Sequence, residues 1–257
     1  MLYGKIRDTG GTVLTRLLAG NEKRVRATWR QTGTGSTQWT AIPLLQERIR
    51  TRITGDPRIS IPQYVAERYG TPGTKWHALS LGCGTGRKEL AWAGTGTIES
   101  LDAFDISPER IAEAQRLAAL AGKTEVLRFA VGDARFLQLP PGGYNLIIVE
   151  DALHHFSPLR VLLKRMEGWL APGGLFVVNE FVGPNRFQWT GRQLAITNGL
   201  LSSMPARFTL RADGQPKLPV HRPGKLTMFM SDPSEAAESA GILPAVRTLF
   251  DIREEKH

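Results

Sequence analysis

The 257-residue sequence predicts a doubly wound α/β chain, with a mostly parallel sheet and helices on both faces. Three observations carry that expectation. Strand-like and helix-like segments alternate strictly from His77 to Phe181, a glycine-rich turn follows the first strand, and a carboxylate ends the second. The turn, Gly82 to Gly86, has glycine at every second position between an apolar run and a helix-like one. In such a turn backbone N–H groups and a helix N-terminus converge on a bound nucleotide.

Residues 1–75 read as an N-terminal loop and helical cap. A polar loop at 31–40, flanked by Trp29 and Trp39, precedes helical spacing over Leu44–Thr51 and Ile61–Tyr69, the second opened by Pro62 and stopped by Gly70. The Rossmann-like core is expected over 76–182. Strand one is His77–Leu81, and strand two runs from Thr97 to Asp105. Ser107 and Pro108 supply an N-cap and a first-turn proline for a helix to about Ala121, closed by Gly122. Strand three is Glu125–Val131, and strand four, Tyr144–Val149, is apolar almost throughout, as suits a strand buried on both faces. Ser157 and Pro158 repeat the capping device before a helix ending near Leu170, a turn at 171–174, and strand five, Leu175–Phe181.

From 183 to 257 the alternation stops, which predicts an insertion after strand five acting as a substrate-side lid, followed by the end of the sheet. It is read as a helix over Gln193–Met204, a loop holding Pro216, Pro219 and Pro223, and a strand-like Lys225–Met230. A capping box at Asp232–Glu235 would open a short helix, and Ala245–Ile252 would form a sixth strand.

Composition narrows the function classes. Hydrophobic residues at 41% and charged residues at 22% are those of an ordinary globular protein. Apolar runs fall far below the roughly 20 residues of a membrane-spanning helix, and the N-terminus lacks the apolar stretch of a secretory signal. A single cysteine, Cys83, allows neither an internal disulfide nor a thiolate metal site, so a cytoplasmic location is expected. The net charge of +9 is spread without any long basic run, and favours solvated surface charge over a nucleic-acid partner.

In a dinucleotide clamp the third glycine follows the second by three residues, whereas Gly82, Gly84 and Gly86 alternate, so the spacing argues against a pyrophosphate. Asp105 stands where a carboxylate accepts hydrogen bonds from both ribose hydroxyls of an adenosine. On Leu79–Gly86, Phe104–Ser107, Gly132–Ala134, Tyr144–Phe156 and Leu170–Leu175, the chain resembles a class I S-adenosylmethionine-dependent methyltransferase. The resemblance covers about Trp76 to Phe181 and is specific for the cofactor, not for the acceptor. It implies that Gly82, Gly84 and Gly86 pass under the amino acid portion of S-adenosylmethionine, with Cys83 a small residue of the same loop. It also implies that Asp105 holds the ribose, Ile106 packs on the adenine, Asp133 bonds the adenine amino group and Ala134 donates its backbone N–H. Asp105, Asp133 and Glu150 would edge a pocket suited to a cationic sulfonium. The family closes its sheet with strands six and seven, yet no seventh strand is evident here. Lys225–Met230 in its place, a second copy in a homodimer, or a truncated chain would account for that edge.

Methyl transfer gains much of its rate from alignment, and a hydroxyl acceptor also needs a base. His155, next to His154 after strand four, is expected as that base, and Glu180 on strand five is the second catalytic candidate. A carboxylate on so apolar a strand must be paired, exposed to the cleft or shifted in pKa, and an ion pair with Arg186 is its alternative role. Arg186, Trp189 and His221 are expected to bind the acceptor, Arg186 and Trp189 lying beside Phe187 in a combination suited to a sugar ring. Cys83 has no activating neighbour in sequence and reads as packing, and no His, Asp and Glu spacing suggests a metal. The expected function is O-methylation of a small molecule or saccharide, in bacterial glycan or natural-product modification. The alternatives are an RNA methyltransferase using the basic N-terminal region, and a non-catalytic protein that binds S-adenosylmethionine.

Overall fold

A computed structural model describes Val25, Thr28, residues 42–211 and residues 213–256, so the loop expected at 31–40 lies outside the described residues. Helices α1 (Pro43–Thr54) and α2 (Ile61–Tyr69) precede the sheet. Ser60 caps α2, its hydroxyl accepting from Gln63 N at 3.2 Å. Alternation then runs β1 (Trp76–Leu81), α3 (Arg87–Gly94), β2 (Ile98–Asp105), α4 (Pro108–Leu120), β3 (Leu127–Val131), β4 (Tyr144–Glu150), α5 (Leu159–Trp169) and β5 (Leu170–Asn179). The five strands are all parallel in the order β3-β2-β1-β4-β5. The order reverses between β1 and β4, which opens a crevice at the carboxyl ends of these strands, where ligands of open α/β sheets sit.

The two-residue period of the strands sorts the core into two layers. Ala78, Leu146 and Ile148 pack with Trp92, Ile111 and Ala114 on one face, against α3 and α4. Leu79, Leu81, Ile147 and Val149 face Leu159, Leu163 and Met166 of α5 on the other. Burial on both faces explains why β4 reads as an unbroken apolar run. Ser107 caps α4 as expected, with Pro108 in the first turn and Gly122 in the left-handed region beyond its end. The turn expected at 171–174 is instead an irregular stretch of β5, where Gly173 adopts φ 75° and the pairing with β4 shifts register.

Beyond β5 the sequence reading needs correction. Lys225–Ser231 is a helix, not a strand; α6 (Gly191–Ser203) precedes it, so the helix is α7. Ala245–Ile252 is no strand either, because Ile242–Leu249 forms α8. Ile242, Ala245, Val246 and Leu249 recur at helical spacing and bury against the α5 layer, a period that outweighs the β-branched content. Asp232–Glu235 opens no helix: Asp232 Oδ1 accepts from Ser234 N at 2.9 Å, an Asx turn. Ser157 does not cap α5; its hydroxyl donates to Glu238, whose other oxygen accepts Leu159 N at 3.3 Å. The capping carboxylate comes from far along the chain, which no local pattern reveals. Among the described residues β5 is an outer strand of the sheet, and none of the expected closing strands appears. No helix of the described residues is long and apolar enough to cross a membrane.

One acidic group lies buried beneath the sheet. Ser80 Oγ donates to Glu89 Oε1 at 2.7 Å, while Oε2 has no hydrogen-bond partner. Burial pushes the Glu89 carboxyl up to about 7, against the opposing pull of the Ser80 bond and with help from the Glu150 charge. The unfolded chain therefore releases this proton first, so Glu89 lowers stability as pH rises from its unfolded pKa toward about 7. Urea denaturation between pH 5 and 8 is expected to show Glu89→Gln sparing about 2–3 kcal/mol of that loss relative to the parent chain. Parallel profiles for the two proteins would contradict the assignment.

Candidate functional site

The carboxyl ends of the five strands and the loops that directly follow them carry the glycine turn, Asp105, Asp133, the histidine pair and Glu180. The loop after β1 adopts left-handed backbone at Gly82 (φ 73°), Gly84 (φ 57°) and Gly86 (φ 75°), which accounts for the alternating glycines. Their open sides differ. A Cβ at Gly82 would lie 2.5 Å from Ala152 Cβ, and one at Gly86 would lie 2.7 Å from Phe129 Cζ, so these two glycines serve packing within the chain. At Gly84 a Cβ would meet only the end of the Arg110 side chain, at 3.2 Å. Cys83 is buried, and burial pushes its thiol well up, which suits packing and not nucleophilic chemistry.

Asp105 ties this loop to the next strand. Its Oδ2 accepts from Gly84 N at 2.9 Å, and its Oδ1 accepts from Ser107 N at 2.9 Å. A carboxylate offers about four acceptor positions, so both oxygens keep capacity for a diol. Arg110, one turn into α4, lies near Asp105 and Cys83, and burial lowers its pKa despite their opposing charges. Ile106 is half-buried and Ala134 buried in the loops after β2 and β3. Asp133 is held by its neighbour: Arg135 Nη2 approaches Oδ2 at 2.5 Å, and Arg135 N donates to Oδ1 at 2.9 Å. Glu150 does not edge this crevice as a free carboxylate. It shares the strand face of Leu146 and Ile148, and its Oε1 accepts from Trp92 Nε1 at 2.8 Å.

A second cluster forms after β4 and β5. His154 and His155 occupy a single 3₁₀ turn, Leu153–His155, with ring centroids 4.0 Å apart. Glu180, whose side chain is 1% exposed, lies 2.5 Å from His154 Nδ1 through Oε1 and accepts His154 N at 3.2 Å through Oε2. Phe181 N also donates to Glu180 Oε1 at 2.6 Å. Both Glu180 oxygens are engaged by these groups, and its ion pair is with His154 and not with Arg186. Burial pulls the His154 pKa down, but the Glu180 hydrogen bond and the charges of Glu180, Glu235 and Asp151 outweigh it, leaving the imidazole raised. His155 Nδ1 lies 3.2 Å from Ser234 Oγ, which donates to Asp232 Oδ1 at 2.6 Å.

Arg186, expected at the acceptor, is engaged within the chain. Its guanidinium donates to Glu235 O at 3.0 Å and Pro233 O at 2.7 Å, and its own N–H donates to Ala236 O at 2.6 Å. It staples the 232–236 turn against the histidines. Trp189 joins Phe181 and Phe187 in an aromatic ledge: Phe187 and Trp189 stack at 5.8 Å and 11°, and Phe181 lies 6.4 Å from His154. His221 is an exposed residue of the loop between α6 and α7. Asp151, Arg186, Phe187 and Ala236 are the non-glycine residues with positive φ among the described ones, and all four border the histidine turn or the segments packed on it. Sequence reasoning missed Ser234 and Glu235, because their turn read as a helix cap.

Comparison with known proteins matches residues 79–178 to a family model described as a methyltransferase domain. The chain is 33% identical over 107 residues to an uncharacterized methyltransferase of Mycobacterium tuberculosis, covering 42% of this chain and 51% of that one. It is 30% identical over 104 residues to ajmaline N-methyltransferase of Rauvolfia serpentina, covering 40% and 35%. A solved S-adenosylmethionine-dependent methyltransferase from Mesorhizobium loti aligns at 21% identity with a TM-score of 0.47, covering 76% of this chain and 84% of that one. The chain spans about half the length of the first of these curated relatives.

The glycine geometry predicts unequal costs. Gly84→Ala is expected to lose about 1–2 kcal/mol from left-handed backbone alone. Gly82→Ala should lose about 1–3 kcal/mol more, from the added clash with Ala152. Equal losses in urea denaturation would show that backbone conformation alone decides both.

Proposed function

We propose, from the premise that the chain belongs to the class I S-adenosylmethionine-dependent methyltransferase superfamily, that it transfers a methyl group from this cofactor to a hydroxyl of a small molecule or saccharide. The observation that carries the reading is the Asp105 carboxylate at the end of β2, shared between the head of α4 and the glycine loop of β1, the strand at which the order reverses. The residues present fit the cofactor. Asp105 retains acceptor capacity for the ribose hydroxyls and supplies negative charge suited to a cationic cofactor, and Gly84 leaves the loop bare on its open side. Gly82, Gly84, Gly86, Asp105, Ile106, Asp133 and Ala134 would hold it; Glu150, engaged by Trp92, is left out of that set. When bound, the cofactor supplies an electrophilic methyl group.

This chain's own residues align the acceptor and remove its proton. The half-buried cluster of Phe187 and Trp189, parallel to each other with Phe181 edge-on to both, offers an apolar wall beside His154, suited to a ring-shaped acceptor. The His154–His155 turn receives the acceptor's hydroxyl, with Glu180 fixing His154 and Ser234 fixing His155. An amine acceptor is the second reading, favoured by the relative named ajmaline N-methyltransferase. An RNA acceptor and a non-catalytic role are outcomes of the test.

Calorimetry with S-adenosylhomocysteine is expected to show one binding site that Asp105→Ala weakens at least tenfold; absence of heat from the parent chain would overturn the cofactor reading. Labelled methyl should then pass to hydroxyl-bearing saccharides or natural products. His155→Ala, which removes the expected base, and His154→Ala beside it should each lose about 10²–10⁴-fold in turnover with cofactor affinity intact. Transfer only to amines or RNA, or binding without turnover across the panel, would replace the hydroxyl assignment.

A further inference from the structure

The histidine turn and the turn stapled onto it meet in an arrangement that methyl transfer does not by itself require. The ligand atoms of His154, His155 and Glu235 lie within 4.8 Å of one another, and His154 Nε2 is 3.6 Å from Glu235 Oε1. Two nitrogens or oxygens bound to one small cation at about 2.0–2.2 Å stand roughly 3.3–3.6 Å apart, so this spacing is that of a ligand pair before closure on an ion. We propose that His154, His155 and Glu235 form a binding site for a divalent transition-metal cation, zinc being the ion their chemistry suits best.

The surroundings have the second layer such a site needs. Glu180 bonds His154 Nδ1 at 2.5 Å, which turns Nε2 toward Glu235, and a carboxylate behind a ligating imidazole fixes its tautomer and strengthens it as a donor. Ser234 holds His155 Nδ1 at 3.2 Å and is itself held by Asp232, whose Oδ2 is buried without a hydrogen-bond partner. Glu235 reaches the pair because Arg186 anchors the backbone of residues 232, 233 and 235. Charge points the same way: Glu180, Glu235 and Asp232 gather around two imidazoles, with Arg186 the cation stapled among them. Two imidazoles and one carboxylate suit zinc and its neighbours over magnesium or calcium, which prefer oxygen. Three protein ligands leave a fourth position, and a hydroxyl placed there would be acidified by the ion. That catalytic use would take the place of the histidines' own role as base and rests on the function proposed above, whereas the binding does not.

The sequence reading expected no metal, since Glu235 stands far from the histidines in sequence and only the fold brings it near. The full chain, stripped with a chelator and dialysed, is to be titrated with Zn²⁺ by calorimetry and with Co²⁺ by visible absorption. The expected result is one equivalent bound at micromolar affinity or tighter, with ligand-field bands of a four- or five-coordinate ion. Glu235→Gln and His155→Gln should each weaken Zn²⁺ binding at least tenfold, and Glu180→Gln should weaken it about 10–100-fold. Thermal melts of the variants separate lost ligands from lost folding, and the Co²⁺ spectrum needs no variant. No stoichiometric binding, a six-coordinate all-oxygen spectrum, or unchanged affinity in folded Glu235→Gln would overturn the site. S-adenosylhomocysteine binding without metal binding would refute this inference alone, and metal binding without cofactor binding would refute only the function above.

Discussion

The Asp105 carboxylate is shared between two backbone N–H groups, Gly84 in the loop after β1 and Ser107 at the head of α4. A buried or half-buried carboxylate is stabilised by such donors, and here the donors belong to segments that must be in register for the crevice to exist. The left-handed backbone at Gly82, Gly84 and Gly86 presents the Gly84 N–H, while Pro108 and the Ser107 hydroxyl start α4 at the right residue. Close packing of Gly82 on Ala152 and of Gly86 on Phe129 leaves the loop little alternative path. The cofactor half of the proposed site follows from that one shared side chain.

The acceptor half depends on a different device. Arg186 ties two segments beyond β5 together by binding carbonyls of the 232–236 turn, and Glu238 joins that part of the chain back onto the core by capping α5. Between them the turn lays Ser234 on His155 and Glu235 near His154. Four non-glycine residues in left-handed backbone mark how tightly these segments are held. The two halves meet at β4, whose last residue leads into the histidine turn.

What the sequence could reveal follows from how local each cause is. The core from β1 to β5 was legible, the α5 cap and the 171–174 stretch apart, because its strands and the glycine turn are specified within a few residues, as Ser107 with Pro108 and the buried run of β4 show. Past β5 the causes are distant. The helix period of Ile242, Ala245, Val246 and Leu249 was hidden by β-branched residues, and the Leu226–Met230 alternation imitated a strand while only Met228 is buried in α7. In the site, the glycines, Asp105 and the histidine pair stood out by residue type and place. Arg186, Glu150 and Glu180 did not reveal their roles, because their partners, the 233–236 backbone, Trp92 and His154, are brought to them by tertiary packing. Glu235 escaped for the same reason.

The most direct test of the central claim is a crystal structure of the full chain with S-adenosylhomocysteine. The account predicts both ribose hydroxyls within hydrogen-bond distance of Asp105 while its carboxylate still accepts the Gly84 and Ser107 N–H groups. A nucleoside bound elsewhere on the sheet, or an Asp105 turned away from the Gly84 loop in the complex, would contradict it.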